Sequence, residues 1–275
     1  MSAVRLLHIS DTHFGRKNLP QQIEVIEAMI ARERYDVVAV SGDLSQRARH
    51  WEFGRARAFL ERIEKTSQVI AVPGNHDCTW WRAPFHIGPR KWMYTKWRRY
   101  MGREPEPVLR IPGAMFVGVA TALGISLHTL TKRSRDLSVI GDMREAQIAR
   151  VVRECAVTPR EDARVVVMHH NPIPGEISRR YGFKRDLAAR ILSEFSRAGV
   201  QLVLCGHDHQ EQIVSVPHDT GAVVVSVAGT ITTMSRGKRP TSVNTFELGN
   251  GAIVGRVMTW NGTEFAESSM QRFRA

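Results

Sequence analysis

Asp11, Thr12 and His13 open a series of short polar clusters that are rich in metal-ligating side chains. The others are Gly42 and Asp43; Gly74, Asn75, His76 and Asp77; His169, His170 and Asn171; and Gly206, His207, Asp208 and His209. Carboxylate and imidazole without thiolate suit Mn²⁺, iron or Zn²⁺, and the donor set alone does not choose among them. In the pair Asp11 and His13, and again in His207 and His209, residues two apart project to one side while the chain is extended. Gly42, Gly74 and Gly206 let the backbone turn sharply where such side chains must meet.

The elements that must position these clusters are legible as well. Each cluster ends a short apolar run: Leu6 to Ile9, Val37 to Val40, Val69 to Val72, Val165 to Met168, and Leu202 to Cys205. Runs this short, aliphatic and without alternation are the pattern of strands buried on both faces. Ile23, Ile26, Met29 and Ile30, then Phe53, Ala56, Phe59, Leu60 and Ile63, recur at helical spacing between the first three. Strand, helix, strand, helix, strand reads as two parallel crossovers. Open α/β sheets collect ligands at the carboxyl ends of their strands, so the clusters are expected to converge there. Met115 to Val119 predicts another strand, and residues 145–157 and 186–198 further helices. From about 212 to 262 the apolar residues alternate between turns, which predicts an antiparallel finish. The expectation is one α/β domain over residues 1–275.

Composition sets outer limits. The chain has 275 residues, 43% hydrophobic and 24% charged, which excludes a disordered or fibrous protein. No apolar stretch is long enough to span a bilayer, and the N-terminal residues lack a signal-peptide layout. Cys78, Cys155 and Cys205 are widely spaced, which points to reduced thiols and a cytoplasmic setting, with peripheral membrane attachment as an option. Lys and Arg number 39 against 27 acidic residues, a net charge of +12, which implies an anionic partner without naming it.

The ordered set of clusters resembles the calcineurin-like metallophosphoesterase superfamily, whose motifs D-x-H, G-D, G-N-H-[DE], H and G-H-x-H occur here in order. The likeness covers roughly residues 4–230. The wording from Leu6 to Phe14, with Pro73 to Asp77 and Met168 to Pro172, is most similar to the bacterial branch of cyclic-nucleotide and glycerophosphodiester phosphodiesterases. The resemblance implies a four-layer α/β/β/α sandwich and two metal ions (Mn, Fe or Zn). It implies that Asp11, His13 and His209 hold one metal, Asn75, His169 and His207 the other, and that Asp43 bridges them. It also implies attack on a phosphodiester by a hydroxide between the metals, with His76 as general acid or transition-state donor. His169 is taken as the ligand because in the family that residue directly follows the strand. Asp77 either orients His76 or is a loop carboxylate. His170 either lines the pocket, touching substrate phosphate, or does neither. His8 reads as a hydrogen-bonded core histidine, Cys205 as a core residue, and Asp208 as a support or solvent-facing residue.

The substrate is less legible. Residues 79–110 read as a small cap insertion holding Trp80, Trp81, Trp92 and Trp97, with eight basic residues against Glu104 and Glu106. Such a cap could recognise a small cyclic-nucleotide-like diester, with Arg98 and Arg99 as candidate substrate contacts. It could instead meet an anionic membrane, as a lipid-linked pyrophosphate hydrolase of the UDP-diacylglucosamine type would, or a nucleic acid strand. Its tryptophans could also simply pack the cap onto the body. Arg16 with Lys17, Lys132 with Arg133 and Arg135, Arg179 with Arg180, and Arg236 with Lys238 and Arg239 are further basic loop clusters. A nuclease or phosphomonoesterase remains the nearby alternative. A scaffold without catalysis is the competing class, although every motif position keeps its ligand type. No obligatory protein partner is inferred.

Overall fold

The opposite facing of neighbouring residues within the apolar runs decides how this molecule layers. The computed structural model describes residues 3–15, 19–79, 90–124, 139–176, 179 and 182–274. The first sheet has the strand order β12-β11-β10-β1-β2-β3, and the second β4-β5-β6-β7-β9-β8. In the first, β1 (Val4–Ile9), β2 (Val37–Val40) and β3 (Gln68–Ala71) run parallel. In the second, β5 (Ala114–Val119), β6 (Ala163–Met168) and β7 (Leu202–Cys205) do the same. Val4, Leu6, Val37, Ala39, Val165, Val167, Leu202 and Leu204 share one core cluster between the sheets. Their sequence neighbours Leu7, Ile9, Val38 and Val40 pack outward under the helices α1 (Pro20–Glu33) and α2 (His50–Ile63). Val166, Met168, Val203 and Cys205 likewise pack under α4 (Glu145–Ala156) and α5 (Arg185–Arg197). Adjacent residues thus serve opposite faces, as a strand requires, and the product is the α/β/β/α sandwich.

Local chemistry explains the helix ends. Pro20 occupies the first turn of α1, where its missing N–H costs nothing, and Arg34 closes it in the left-handed region at φ 51°. The buried Glu52 carboxylate accepts the N–H groups of Arg47 (2.8 Å) and Arg49 (3.1 Å) where α2 begins.

One expectation is extended by the structure and another corrected. The strands after residue 212 are antiparallel hairpins, but they divide between the sheets. β8 (Gln212–His218) and β9 (Gly221–Val227) finish the second sheet, with β9 parallel to β7. β10 (Ser242–Gly249), β11 (Ala252–Trp260) and β12 (Phe265–Arg274) extend the first sheet from β1, past the expected end at 262. Alternation reports antiparallel pairing but not which sheet edge is free, and β12 buries only Phe265 and so carries little pattern.

The correction concerns the cap. In its described part, Met93, Tyr94, Trp97 and Met101 are buried in the outer core beside α2, contributed in part by α3 (Thr95–Met101). β4 (Val108–Ile111) is a strand of the second sheet, antiparallel to β5. These residues are body rather than lid, and Trp97 packs as a core residue at 0% exposure. Trp92 alone of the described pair is exposed, at 46%. Trp80, Trp81, Arg82, Arg16, Lys17, Lys132, Arg133, Arg135 and Arg180 lie outside the described residues.

Candidate metal centre

The loops after β1 and β2 run side by side and carry the first ligand candidates. Asp11 N donates to Gly42 O (3.0 Å), His13 N to Asp43 O (2.9 Å) and Phe14 N to Leu44 O (2.7 Å). The second sheet is fastened to the same place, since Gly206 N donates to His169 O (2.9 Å) and His207 N to Asp11 Oδ2 (2.9 Å). Gly74 and Gly206 allow this closeness. A Cβ on Gly206 would overlap Ser10 Oγ and Asp11 Oδ2, and one on Gly74 would overlap Asp43 Oδ1. Asp11, His13, Asp43, His207 and His209 all adopt left-handed backbone, with φ between 40° and 71°. Such residues cost about 1–3 kcal/mol each outside glycine and persist where the surroundings fix them.

The side chains form two groups that share one carboxylate. In the first, His13 Nε2 is 3.1 Å from His209 Nε2, and Asp11 Oδ1 lies 3.1 Å from His209 Nε2 and 3.6 Å from His13 Nε2. In the second, Asn75 Oδ1 is 3.1 Å from His169 Nε2 and 3.2 Å from His207 Nδ1. Asp43 Oδ2 stands between them, 3.8 Å from His13 Nε2 and 3.3 Å from His169 Nε2. Backbone carbonyls aim the rings: His169 Nδ1 donates to Ser41 O (2.8 Å) and His209 Nδ1 to Met234 O (3.1 Å). Each bond leaves Nε2 bare toward the cluster, the tautomer a metal needs.

These residues fit two cations. Donor atoms roughly 3 Å apart match the edges of a coordination shell with bonds of about 2.0–2.2 Å. Asp11 Oδ1 is buried without a well-aligned hydrogen-bond donor, and the His13 and His209 Nε2 atoms converge beside it, 3.1 Å apart. Asp11, His13 and His209; His13, Asp43 and His76; and Asp11, Asp43 and His169 each bring ligand atoms within 4.8 Å of one another.

Without metal the cluster balances its own charge. Burial alone would raise the carboxyl of Asp43, but His169, His76 and His13 outweigh it and hold the group well below the usual carboxylate range. Asp11 is held low against burial in the same way, chiefly by His209 and His13. Burial disfavours charge on His169, yet Asp43 and Asp11 bring it up to about 9, whereas burial and the His169 charge press His207 down to about 3. Stability from His169 is therefore present below its ordinary 6.5 and lost as pH rises through about 9. His207 and His8, both pressed down to about 3 with burial the chief cause, lose stability as pH falls below 6.5. Chelated protein is expected to melt highest near pH 6.5 and to lose melting temperature toward 9. Metal-loaded protein should show a flatter profile over that alkaline range, because cations replace the proton. Thermal melts across pH with and without chelator check both curves.

Asp77 does not orient His76. Its buried carboxylate accepts Ser45 N and Ser45 Oγ (both 2.7 Å), and Leu44 N and Gly74 N (both 3.0 Å), tying the Asp43 loop to the Gly74 turn. His76 Nδ1 donates instead to Gln46 O (2.7 Å), while His76 N donates to Asp43 Oδ1 (2.8 Å). Asp77→Ala orphans four donors, so a loss of about 3 kcal/mol or more in stability is expected, read by denaturant melts.

Other expected residues fall as follows. His170 is fully buried, with Nδ1 2.7 Å from Thr121 Oγ1 and its ring beside Phe183. One residue beyond His169, its ring also lies against the rings of His207 and His169, with centroids 4.6 and 5.0 Å apart, so it packs directly behind the second group of donors. Arg98 is held by Glu104 (2.8 Å), and Arg99 lies over the Tyr100 ring at 5.8 Å, both on α3. Asp208 is buried and bonded by Gln210. The aiming carbonyls of Ser41, Gln46 and Met234 are illegible in sequence, because a carbonyl leaves no signature there.

Comparison with known proteins agrees with this geometry. Residues 4–211 match the calcineurin-like phosphoesterase family. A probable cyclic nucleotide phosphodiesterase of Coxiella burnetii is 24% identical over 227 residues, covering 78% of this chain and 79% of that protein. A cAMP/cGMP dual specificity phosphodiesterase of Mycobacterium tuberculosis is 25% identical over 219 residues, 74% of this chain and 61% of that one. Among solved structures, a dimetal phosphatase from Danio rerio superposes with TM-score 0.69 at 12% identity, covering 100% of this chain and 99% of its own. Purple acid phosphatase from yellow lupin gives 0.69 at 11% identity, covering 99% and 54%. These two likenesses speak for the fold. The chain belongs to the calcineurin-like phosphoesterase family and is a metal-dependent phosphoester hydrolase.

Proposed function

We propose that the chain hydrolyses a small, cyclic-nucleotide-like phosphodiester at a centre of two metals. Asp11, His13 and His209 would hold one metal, Asn75, His169 and His207 the other, with Asp43 contributing to both. The observation that carries this is the pair of donor groups meeting at Asp43 Oδ2, 3.8 Å from His13 Nε2 and 3.3 Å from His169 Nε2. Bound there, two cations would supply a nucleophilic water at neutral pH and charge neutralisation for phosphoryl oxygens. The donor set suits Mn, Fe or Zn.

Among the described residues, this reading gives the proton transfer to His76. Its Nδ1 is committed to Gln46 O, so Nε2 faces the centre, 4.0 Å from Asp43 Oδ2, on a side chain that is 37% exposed. Nε2 is thus open to a leaving-group oxygen, to which it can give a proton when the ring is the imidazolium, a contribution of about 10²–10⁴-fold for a positioned acid. The names of the two curated relatives support the diester and the cyclic nucleotide.

Turnover of bis-p-nitrophenyl phosphate, p-nitrophenyl phosphate, cAMP and cGMP under one Mn²⁺ condition tests the reading. The expected result is a higher kcat/KM on the diester than on the monoester, with turnover of a cyclic nucleotide. A preference for the monoester sinks the diesterase, and turnover of the generic diester alone sinks the cyclic nucleotide.

A further inference from the structure

Between the sheets, the face of β1 that begins Val4, Leu6 ends in His8, a buried imidazole where the pattern calls for another aliphatic residue. The same interruption follows the inward faces of β2, β9 and β10 around it. Val37 and Ala39 lead to Ser41, Val224 to Ser226, and Leu248 and Phe246 to Asn244. These side chains are bonded to one another. His8 Nε2 is 2.9 Å from Ser41 Oγ, His8 Nδ1 is 3.0 Å from Ser226 Oγ, and Asn244 Nδ2 donates to Ser226 Oγ (2.9 Å). The last rung of the inter-sheet core before the metal edge is therefore a polar bridge, with His8 joining the two sheets.

We infer that His8 is a positioning residue for the second metal site, acting through Ser41 on His169; this rests on the two-metal reading above. The path is short. His8 holds the Ser41 side chain, and the Ser41 carbonyl receives the Nδ1–H that aims His169 Nε2 at Asn75 and Asp43. The carbonyl's direction is set by the peptide joining residues 41 and 42, and Gly42 (φ 103°) leaves that peptide free to rotate on one side. Anchoring Ser41 on the other side removes the freedom. Gly42 cannot be replaced by a stiffer residue, since a Cβ there would meet His169 Nδ1 at 2.6 Å and Gly74 N at 2.8 Å. A leucine at position 8 would extend the aliphatic face at little cost in burial, so the imidazole is explained by what its two nitrogens hold.

Metal-free protein titrated with Co²⁺ and followed by its visible ligand-field absorption tests this. Wild type is expected to take two equivalents. His8→Leu should keep one equivalent within about threefold of wild-type affinity and weaken the other about 10–100-fold, the usual cost of losing support behind a ligand. Ser41→Ala, which keeps the carbonyl and loses only the anchor, should show the same selective weakening whether or not His8→Leu folds. His8→Gln, with an amide able to reach one serine, should recover part of the affinity. Wild-type titration curves in folded Ser41→Ala or His8→Leu, or equal weakening of both equivalents, overturn the inference. A wild type that binds fewer than two equivalents overturns the two-metal reading instead.

Discussion

Asp43→Asn is expected to lower kcat on a generic diester by at least about 10³-fold, or about 4 kcal/mol of transition-state stabilisation. The exchange is nearly isosteric. An amide oxygen can still accept the His76 N–H that Asp43 Oδ1 accepts now, and Asn tolerates the φ of 53° at this position. What disappears is the negative charge facing His13 and His169. Bound metal, measured by elemental analysis after gel filtration, should fall below two equivalents while the fold persists by circular dichroism. A kcat within tenfold of wild type would remove Asp43 from the centre of the site.

A single methyl group at residue 74 should do comparable damage from outside the donor set. The Cβ of Gly74→Ala would stand 2.5 Å from Asp43 N and overlap Asp43 Oδ1. The first of these is backbone and cannot swing aside, so the carboxylate must shift. Displacement of about 1 Å at a reacting centre costs on the order of 10² in rate, and overpacking costs about 1–3 kcal/mol of stability. Gly54→Ala, on α2 where nothing lies within 4 Å of a new Cβ, should instead stabilise by about 0.5–1 kcal/mol. Thermal melts and kcat on the two variants read the contrast. A Gly74→Ala enzyme with wild-type rate would show that the turn at residue 74 yields without moving Asp43.

What could be read from sequence follows from what leaves a mark there. Val37 to Val40 announces a doubly buried strand, and the bounds of β2 and β7 coincide with their apolar runs. Asp11, Asp43 and His207 carry their chemistry in side chains, so the cluster was visible as types at strand ends. His169 brings Nε2 to Asn75 and Asp43 while His170 packs its ring behind His207 and bonds Thr121, a distinction that residue type alone does not make. Asp77 was open because a carboxylate serving four donors around a turn looks the same in sequence as one in solvent. Trp97 belongs to the core because α3 lies against α2, a tertiary fact hidden by the eight basic residues around it. β12 was invisible because an edge strand with one buried residue needs almost no apolar pattern.

The left-handed backbone at Asp11, His13, Asp43, His207 and His209 bears on how such a site can change over generations. Asn is among the residues that enter this conformation most readily, so Asp→Asn at 11 or 43 is conformationally cheap and chemically ruinous. Asp→Glu keeps the charge, but it meets the backbone penalty and adds a methylene that the packed turns have no room for. Drift is therefore lopsided: the easiest step from each carboxylate yields a folded protein with weakened metal affinity, while steps that retain charge strain the chain. Catalysis in this architecture can be lost without the fold, and the first scar to look for is an asparagine at position 11 or 43.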